Sequence, residues 1–138
     1  MTLAWHVHHE ILLEPLTEPI ETRRAYIQSS KPPEEIETRL RLLKEVKGEL
    51  PLALIAAAQT RAQTWQAYIQ AKRTYYQTWR GAYDQAAGAC VQTWQASNQA
   101  GETYVQAVEA YTTEINALHT LECPDCPWDG TTIFSAKE

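Results

Sequence analysis

The sequence predicts a mainly α-helical protein. Its centre is a long antiparallel helical hairpin of coiled-coil-like seven-residue repeats, flanked by two short N-terminal helices and a small β and zinc-knuckle element. Three observations carry this prediction. Gln recurs at 63, 70, 77, 85, 92, 99 and 106, in steps of seven with one step of eight. No proline interrupts residues 52–121, and a periodic pattern of that length without a helix breaker belongs to long helices. Residues 122–138 then change character, with a Cys-Pro-Asp-Cys turn followed by Asp129-Gly130 and the β-prone Thr131 to Phe134.

At the N-terminus, residues 3–13 alternate, with Leu3, Trp5, Val7, His9, Ile11 and Leu13 on one face of an expected strand and Ala4, His6, His8 and Glu10 on the other. Thr17 as a capping residue and Pro19 near a first turn predict helix over 18–28, ended by Ser29-Ser30-Lys31-Pro32-Pro33. A second helix is expected over 33–46. Ile36, Leu40 and Leu43 share one face of it, Glu35 with Arg39 and Glu37 with Arg41 are spaced to pair, and Gly48 is its expected stop.

In the repeat region, Trp65, Lys72, Trp79, Ala87, Trp94 and Gly101 stand two places after successive glutamines, and Tyr68, Tyr75, Ala82, Cys90, Ser97 and Tyr104 three places further on. That 3-4 spacing is the pattern of a seam between helices, with the aromatic side chains as core. The single step of eight rotates everything after it by about 100° on a continuous helix. A fold-back within Gly81–Gly88 removes the conflict and sets Trp65 and Trp79 against the second arm, between Cys90 and Leu118. The alternative is one straight helix of roughly 100 Å paired with another chain. The expected organisation is 1–50, 51–121 and 122–138 within one compact unit.

Composition narrows the function classes. The chain has 138 residues, 44% hydrophobic and 21% charged, which suits a folded domain better than a disordered one. Net charge is −5 and no basic run exceeds Arg23-Arg24, so nucleic acid is an unlikely partner. The longest apolar stretch, 50–58, is about half of a bilayer span, and no leader pattern precedes it, so the expected location is cytoplasmic.

Three cysteines, two of them in one CxxC, read as metal chemistry in a reducing compartment rather than a disulfide framework. Cys123 and Cys126 with His6 and His8, which point the same way on a strand, would complete a tetrahedral Zn²⁺ shell, with His119 and His9 in reserve. A redox role for the cysteines is less favoured, because no βαβ context activates them. The aromatic stripe supplies a second reading: Trp65, Tyr68, Tyr75 and Trp79 with Arg73 and Arg80 could sandwich a planar nucleotide. No phosphate loop, Ser/His/Asp pattern or HExxH is present, which speaks against an enzyme.

The segments WHVHHEILLEPLTEPIETRRAYI, ETRLRLLKEVKGELP and ALHTLECPDCPWDGTTIF resemble the ends of an uncharacterised family of small phage and environmental proteins. Members of that family carry Ala/Tyr/Trp-rich seven-residue repeats of varying number between those ends. The CPDCPWDG ending is the most specific part of the resemblance. Here the repeats are Gln/Thr-rich. The resemblance implies a viral or mobile-element origin and a middle of adjustable length. The expected function is a non-enzymatic structural or protein-interaction module that self-associates, is locked by a structural metal, and acts in a host cell, with a host protein as a candidate partner. The alternative is a protein that sequesters a nucleotide signal of host defence.

Overall fold

The computed structural model describes residues 1–78 and 82–134. Its elements are β1 (Thr2–Trp5), β2 (Leu13–Leu16), α1 (Ile20–Ser30), α2 (Pro33–Leu42), β3 (Lys44–Glu45), α3 (Leu52–Gln77), α4 (Tyr83–Ala110) and α5 (Thr112–Glu122). They divide into two compact units, Met1–Leu50 with Thr113–Glu138, and Pro51–Thr112. Almost all of α5 therefore belongs with the chain termini, although its sequence continues the helical run.

In the first unit the strands form an antiparallel sheet in the order β2-β1-β3, with Leu3 opposite Pro15, Trp5 opposite Leu13 and Ala4 opposite Glu45. The strand expected over 3–13 stops at Trp5. His6 takes a positive φ of 56° and its N–H donates to the Leu12 carbonyl, which turns the chain back into β2. Histidine is one of the side chains that tolerates this left-handed conformation. One face of the sheet packs on α1 and α2 through Ala4, Val7, Leu16, Ile27 and Leu43.

The helix ends differ from the expected ones for local reasons. α1 begins after Pro19, which takes the N-cap place expected near Thr17 and offers no side-chain cap; the Pro19 carbonyl accepts the N–H of Thr22 and Arg23. It ends at Ser30, because Lys31 precedes Pro32 and is pushed toward extended backbone. α2 starts with Pro33 and stops at Leu42, well short of Gly48. Leu42 and Leu43 are both fully buried but in different clusters, Leu43 under the sheet and Leu42 against Cys123 and Ile133. The extended backbone of Leu43 turns its side chain away from that of Leu42, the last residue of the helix. The exposed α2 carbonyls are then met by Arg24, whose guanidinium donates to Leu40 and Leu43. The expected Glu35–Arg39 pair forms at 2.6 Å; the expected Glu37–Arg41 pair, between two exposed side chains, is not among the ion pairs of the described residues.

The second unit is the predicted antiparallel hairpin. Arg61 lies over the Tyr104 ring at 4.9 Å, and Tyr75 meets Tyr83 at 5.0 Å, so the arms run in opposite directions. The reversal falls between Gln77 and Tyr83. Trp79, Arg80 and Gly81 lie outside the described residues, and Gly88, expected near the turn, sits inside α4.

The seam differs from the expected one by a single residue. Shielded positions on α3 run Ala57, Arg61, Thr64, Tyr68, Ala71, Tyr75, with Leu54, Ala58 and Ala62 fully buried near its start; on α4 they run Ala86, Cys90, Thr93, Ser97, Ala100, Tyr104, Ala107. Of the expected tyrosine positions, Tyr68, Tyr75, Cys90, Ser97 and Tyr104 are shielded and Ala82 is exposed. Of the expected tryptophan positions, Ala87 and Gly101 are half-buried but Lys72, Trp65 and Trp94 are exposed, the two tryptophans at 47% and 51%, and Thr64 and Thr93 are shielded beside them instead. Small residues at alternate layers let the two helix axes approach closely, whereas a tryptophan at each layer would hold them apart.

At Gly88 and Gly101 an added Cβ would meet nothing within 4 Å. Both are helical, so Gly88→Ala and Gly101→Ala should each stabilise the hairpin by about 0.5–1 kcal/mol. The double substitution should raise the thermal midpoint by roughly 3–8 °C in a circular dichroism melt. An unchanged or lowered midpoint would contradict this assignment of the two glycines to helix interior.

Candidate metal centre

Within the first unit, four metal-ligating side chains converge: His6, His119, Cys123 and Cys126, with their donor atoms all within 4.8 Å of one another. Each is placed by local structure. His6 is swung inward at the end of β1 by its left-handed backbone. His119 and Cys123 stand four residues apart, one turn of helix, and the Cys123 N–H donates to the His119 carbonyl at 2.8 Å as α5 ends. The Cys126 N–H then donates to the Cys123 carbonyl at 3.2 Å, closing the turn that returns the second sulfur.

His6 Nε2 lies 3.0 Å from His119 Nε2 and 3.1 Å from Cys126 Sγ. Ions bound at zinc–nitrogen and zinc–sulfur lengths space their tetrahedral donors by about 3.3–3.8 Å, so these two pairs need to spread by only a few tenths of an ångström, while any pair near the 4.8 Å limit would have to draw in by about 1 Å. His6, His119 and Cys123 are buried and Cys126 is half-buried. The Trp5 ring lies against His119 and the Trp128 ring against His6, while Leu42 and Ile133 pack beside Cys123. Two thiols and two imidazoles in such a setting suit a borderline-soft cation. With four protein donors the shell is closed, which is the arrangement of structural rather than catalytic sites.

The electrostatics prepare the donors unequally. Burial, with His119 and Lys44 close by, lowers the His6 pKa from 6.5 to about 4, and burial with Lys44 lowers that of His119. Both imidazoles are thus held neutral, the form that ligates. His6 Nδ1 is buried without a hydrogen-bond partner. Burial and the hydrogen bond to Cys126 push the Cys123 thiol up to about 12. That thiol stays protonated until a cation compensates its charge.

A carboxylate latch fixes the end of α5, which carries His119 and leads directly into Cys123. Glu122 accepts from Trp5 Nε1 at 3.0 Å, from the Lys47 N–H at 3.0 Å and from the Gly48 N–H at 2.7 Å. Burial opposes its ionisation, but these three donors and the Lys47 charge outweigh it and hold its carboxyl below the ordinary value. Lys44 Nζ donates to the Glu122 carbonyl, and Gly48 leaves space for the latch, since a Cβ there would come within 2.4 Å of Leu118.

Of the four ligands expected from sequence, the structure brings together His6, Cys123 and Cys126 but not His8. The expectation for His8 required an unbroken strand; the reversal at His6 destroys the alternation, and the exposed His8 bonds Glu14 at 2.5 Å. His119 takes its place. Its signal was present in the spacing His119-x-x-x-Cys123-x-x-Cys126, in which a helical turn runs directly into the CxxC. His9 is engaged with Thr132 and the Phe134 ring. The expected strand over 131–134 does not form; Asp129 instead accepts the N–H groups of Thr131 and Thr132 around Gly130 at φ 101°, and the Ile133 N–H donates across to the His9 carbonyl.

The aromatic set proposed for nucleotide binding is spread along the hairpin. The Trp65 and Tyr68 rings are neighbours on one helix, 5.7 Å apart and tilted 52°, Tyr75 packs on Tyr76 and Tyr83, and Arg73 is exposed. Trp79 and Arg80 lie outside the described residues. Among the described residues no helix is long and apolar enough to cross a membrane. Comparison of the chain with protein-family models, curated proteins and solved structures finds no match.

Proposed function

We propose that this chain is a non-enzymatic, self-associating interaction module, encoded by a phage, in which one structural zinc ion on His6, His119, Cys123 and Cys126 ties the two ends of the chain together. The observation that carries the reading is the convergence of these four donors from positions up to 120 residues apart. Their sulfur and imidazole chemistry favours zinc over magnesium or calcium, and the closed shell leaves no position for a substrate. The phage origin rests on the resemblance of the chain's ends, and self-association on the half-exposed aromatics of the hairpin. A nucleotide-sequestering role draws less support, because Trp65 and Tyr68 stand side by side instead of facing each other as the walls of a slot.

Elemental analysis of protein purified without chelator tests the zinc reading. The expected result is roughly one zinc per chain, with release of about two thiol protons on loading the metal-free protein at neutral pH. His8→Ala should retain the metal and His119→Ala should lose it. A metal-free wild type, or metal that depends on His8 and not on His119, would overturn the assignment.

A further inference from the structure

The two flanks of the hairpin differ in kind. On one flank a shallow hollow is lined by Ala53, Ala56, Thr60 and Thr64 of α3 and by Ala96 and Thr103 of α4. On the other, Arg61 of α3 faces Asn98, Gly101 and Val105 of α4. Steps of three and four residues from these positions, the spacing of one helix face, reach Trp65 and Tyr76 on α3 and Trp94, Val91 and Tyr83 on α4. Six large exposed apolar side chains of the hairpin thus fall on the second flank, Trp65, Tyr76, Tyr83, Val91, Trp94 and Val105 at 47–73% exposure, while Leu52 at the start of α3 lies off it. A contiguous aromatic face of this kind is a docking surface.

We propose that this flank docks on the same flank of a second copy of the chain, with α3 of one copy lying over α4 of the other. The proposal rests on the interaction-module reading and adds its partner, face and register. Two observations select a second copy. The first is size: α4 from 83 to 105 extends about 33 Å, and two helix axes 8–10 Å apart give a face about 18–20 Å wide. That is roughly 600 Å² per copy and about 1,200 Å² in all, at the lower edge of stable interfaces.

The second observation is charge. The charged residues of α3 are Arg61, Lys72 and Arg73, with no carboxylate among them; those of α4 are Asp84, Glu102 and Glu109, with no cation. Among the described residues no ion pair joins the two helices within a chain, and Arg61 is turned onto the Tyr104 ring. A twofold axis parallel to the helices sets each cationic α3 over the anionic α4 of the other copy, in a bundle whose neighbouring helices are all antiparallel. A twofold axis across the helices sets α3 on α3 and α4 on α4, like charge on like. Charge complementarity of this kind fixes orientation in self-complementary interfaces.

Light scattering coupled to size-exclusion chromatography, on the full chain loaded with zinc, tests this. The wild type should elute at twice the chain mass at micromolar concentration. Lys72→Glu with Arg73→Glu should weaken the dimer tenfold or more, as should Asp84→Lys with Glu102→Lys. Mixing the two variants should restore a mass of two chains, since each α3 again meets an α4 of opposite sign. Trp94→Gln, at an exposed position, should weaken the dimer without changing helicity by circular dichroism. A monomeric wild type would overturn both this proposal and the self-associating reading. A dimer indifferent to the charge swaps and to Trp94→Gln, or variants that fail to pair on mixing, would overturn this face and leave self-association standing. A dimer strengthened by Lys72→Glu with Arg73→Glu would put α3 on α3 and overturn the register.

Discussion

Cys123→Ser is expected to abolish zinc binding and to lower the melting temperature of the zinc-loaded protein by about 15 °C. His6 and Cys126 are 120 residues apart in sequence, so an ion that joins them closes almost the whole chain into a loop. By the loop-closure argument used for covalent cross-links, tying a loop of roughly 100 residues restricts the unfolded chain by about 4–5 kcal/mol. For a chain of this size each kcal/mol moves the midpoint by roughly 3–5 °C. Chelation should bring the wild type down to the melting temperature of Cys123→Ser and leave that variant unchanged. Cys90→Ser, at a half-buried place in the hairpin seam, should shift the midpoint by no more than a few degrees. Equal shifts for Cys90 and Cys123, or a variant still sensitive to chelator, would show that Cys123 holds no metal.

Trp5→Ala should cost about 3–5 kcal/mol, the range for deleting a buried aromatic side chain. Trp5 is fully buried, its ring lies 5.1 Å from that of His119, and its Nε1–H donates to Glu122. Trp5→Phe keeps most of the ring and removes the donor, and should cost about 1–2 kcal/mol. Glu122→Ala leaves the Trp5 donor and the amides of Lys47 and Gly48 without their acceptor and should cost about 2–3 kcal/mol. Urea denaturation of the three variants separates ring from hydrogen bond. A Trp5→Phe loss as large as that of Trp5→Ala would place the stabilisation in the latch rather than in packing.

The parts of this protein legible in its sequence are those set by local rules. The proline positions mark the starts of α1 and α2, the repeat with its one-residue skip gives the hairpin, and the CxxC places two donors. What the sequence hid depends on contacts between distant segments. The second arm of the sheet became visible only with the reversal at His6, and alternation through residue 13 pointed the other way. The early end of α2 follows from two cores claiming Leu42 and Leu43, which no periodicity in α2 reveals. His8 looked like a ligand because strand geometry was extended past the turn. In the hairpin, aromatic size suggested core, yet the closeness of the two helices favoured Ala and Thr in the seam and left Trp65 and Trp94 one residue outward.

The spread of the four donors along the chain also sets the order in which the protein can be made. His6 is synthesised before the hairpin, and its remaining partners come only after it, at His119, Cys123 and Cys126. The hairpin of α3 and α4 relies on contacts within one continuous segment and can form while the chain is still growing, whereas the four donors can meet only after both arms of the hairpin have been made. A chain truncated before Cys123 would keep the hairpin and leave His6 with no sulfur to meet.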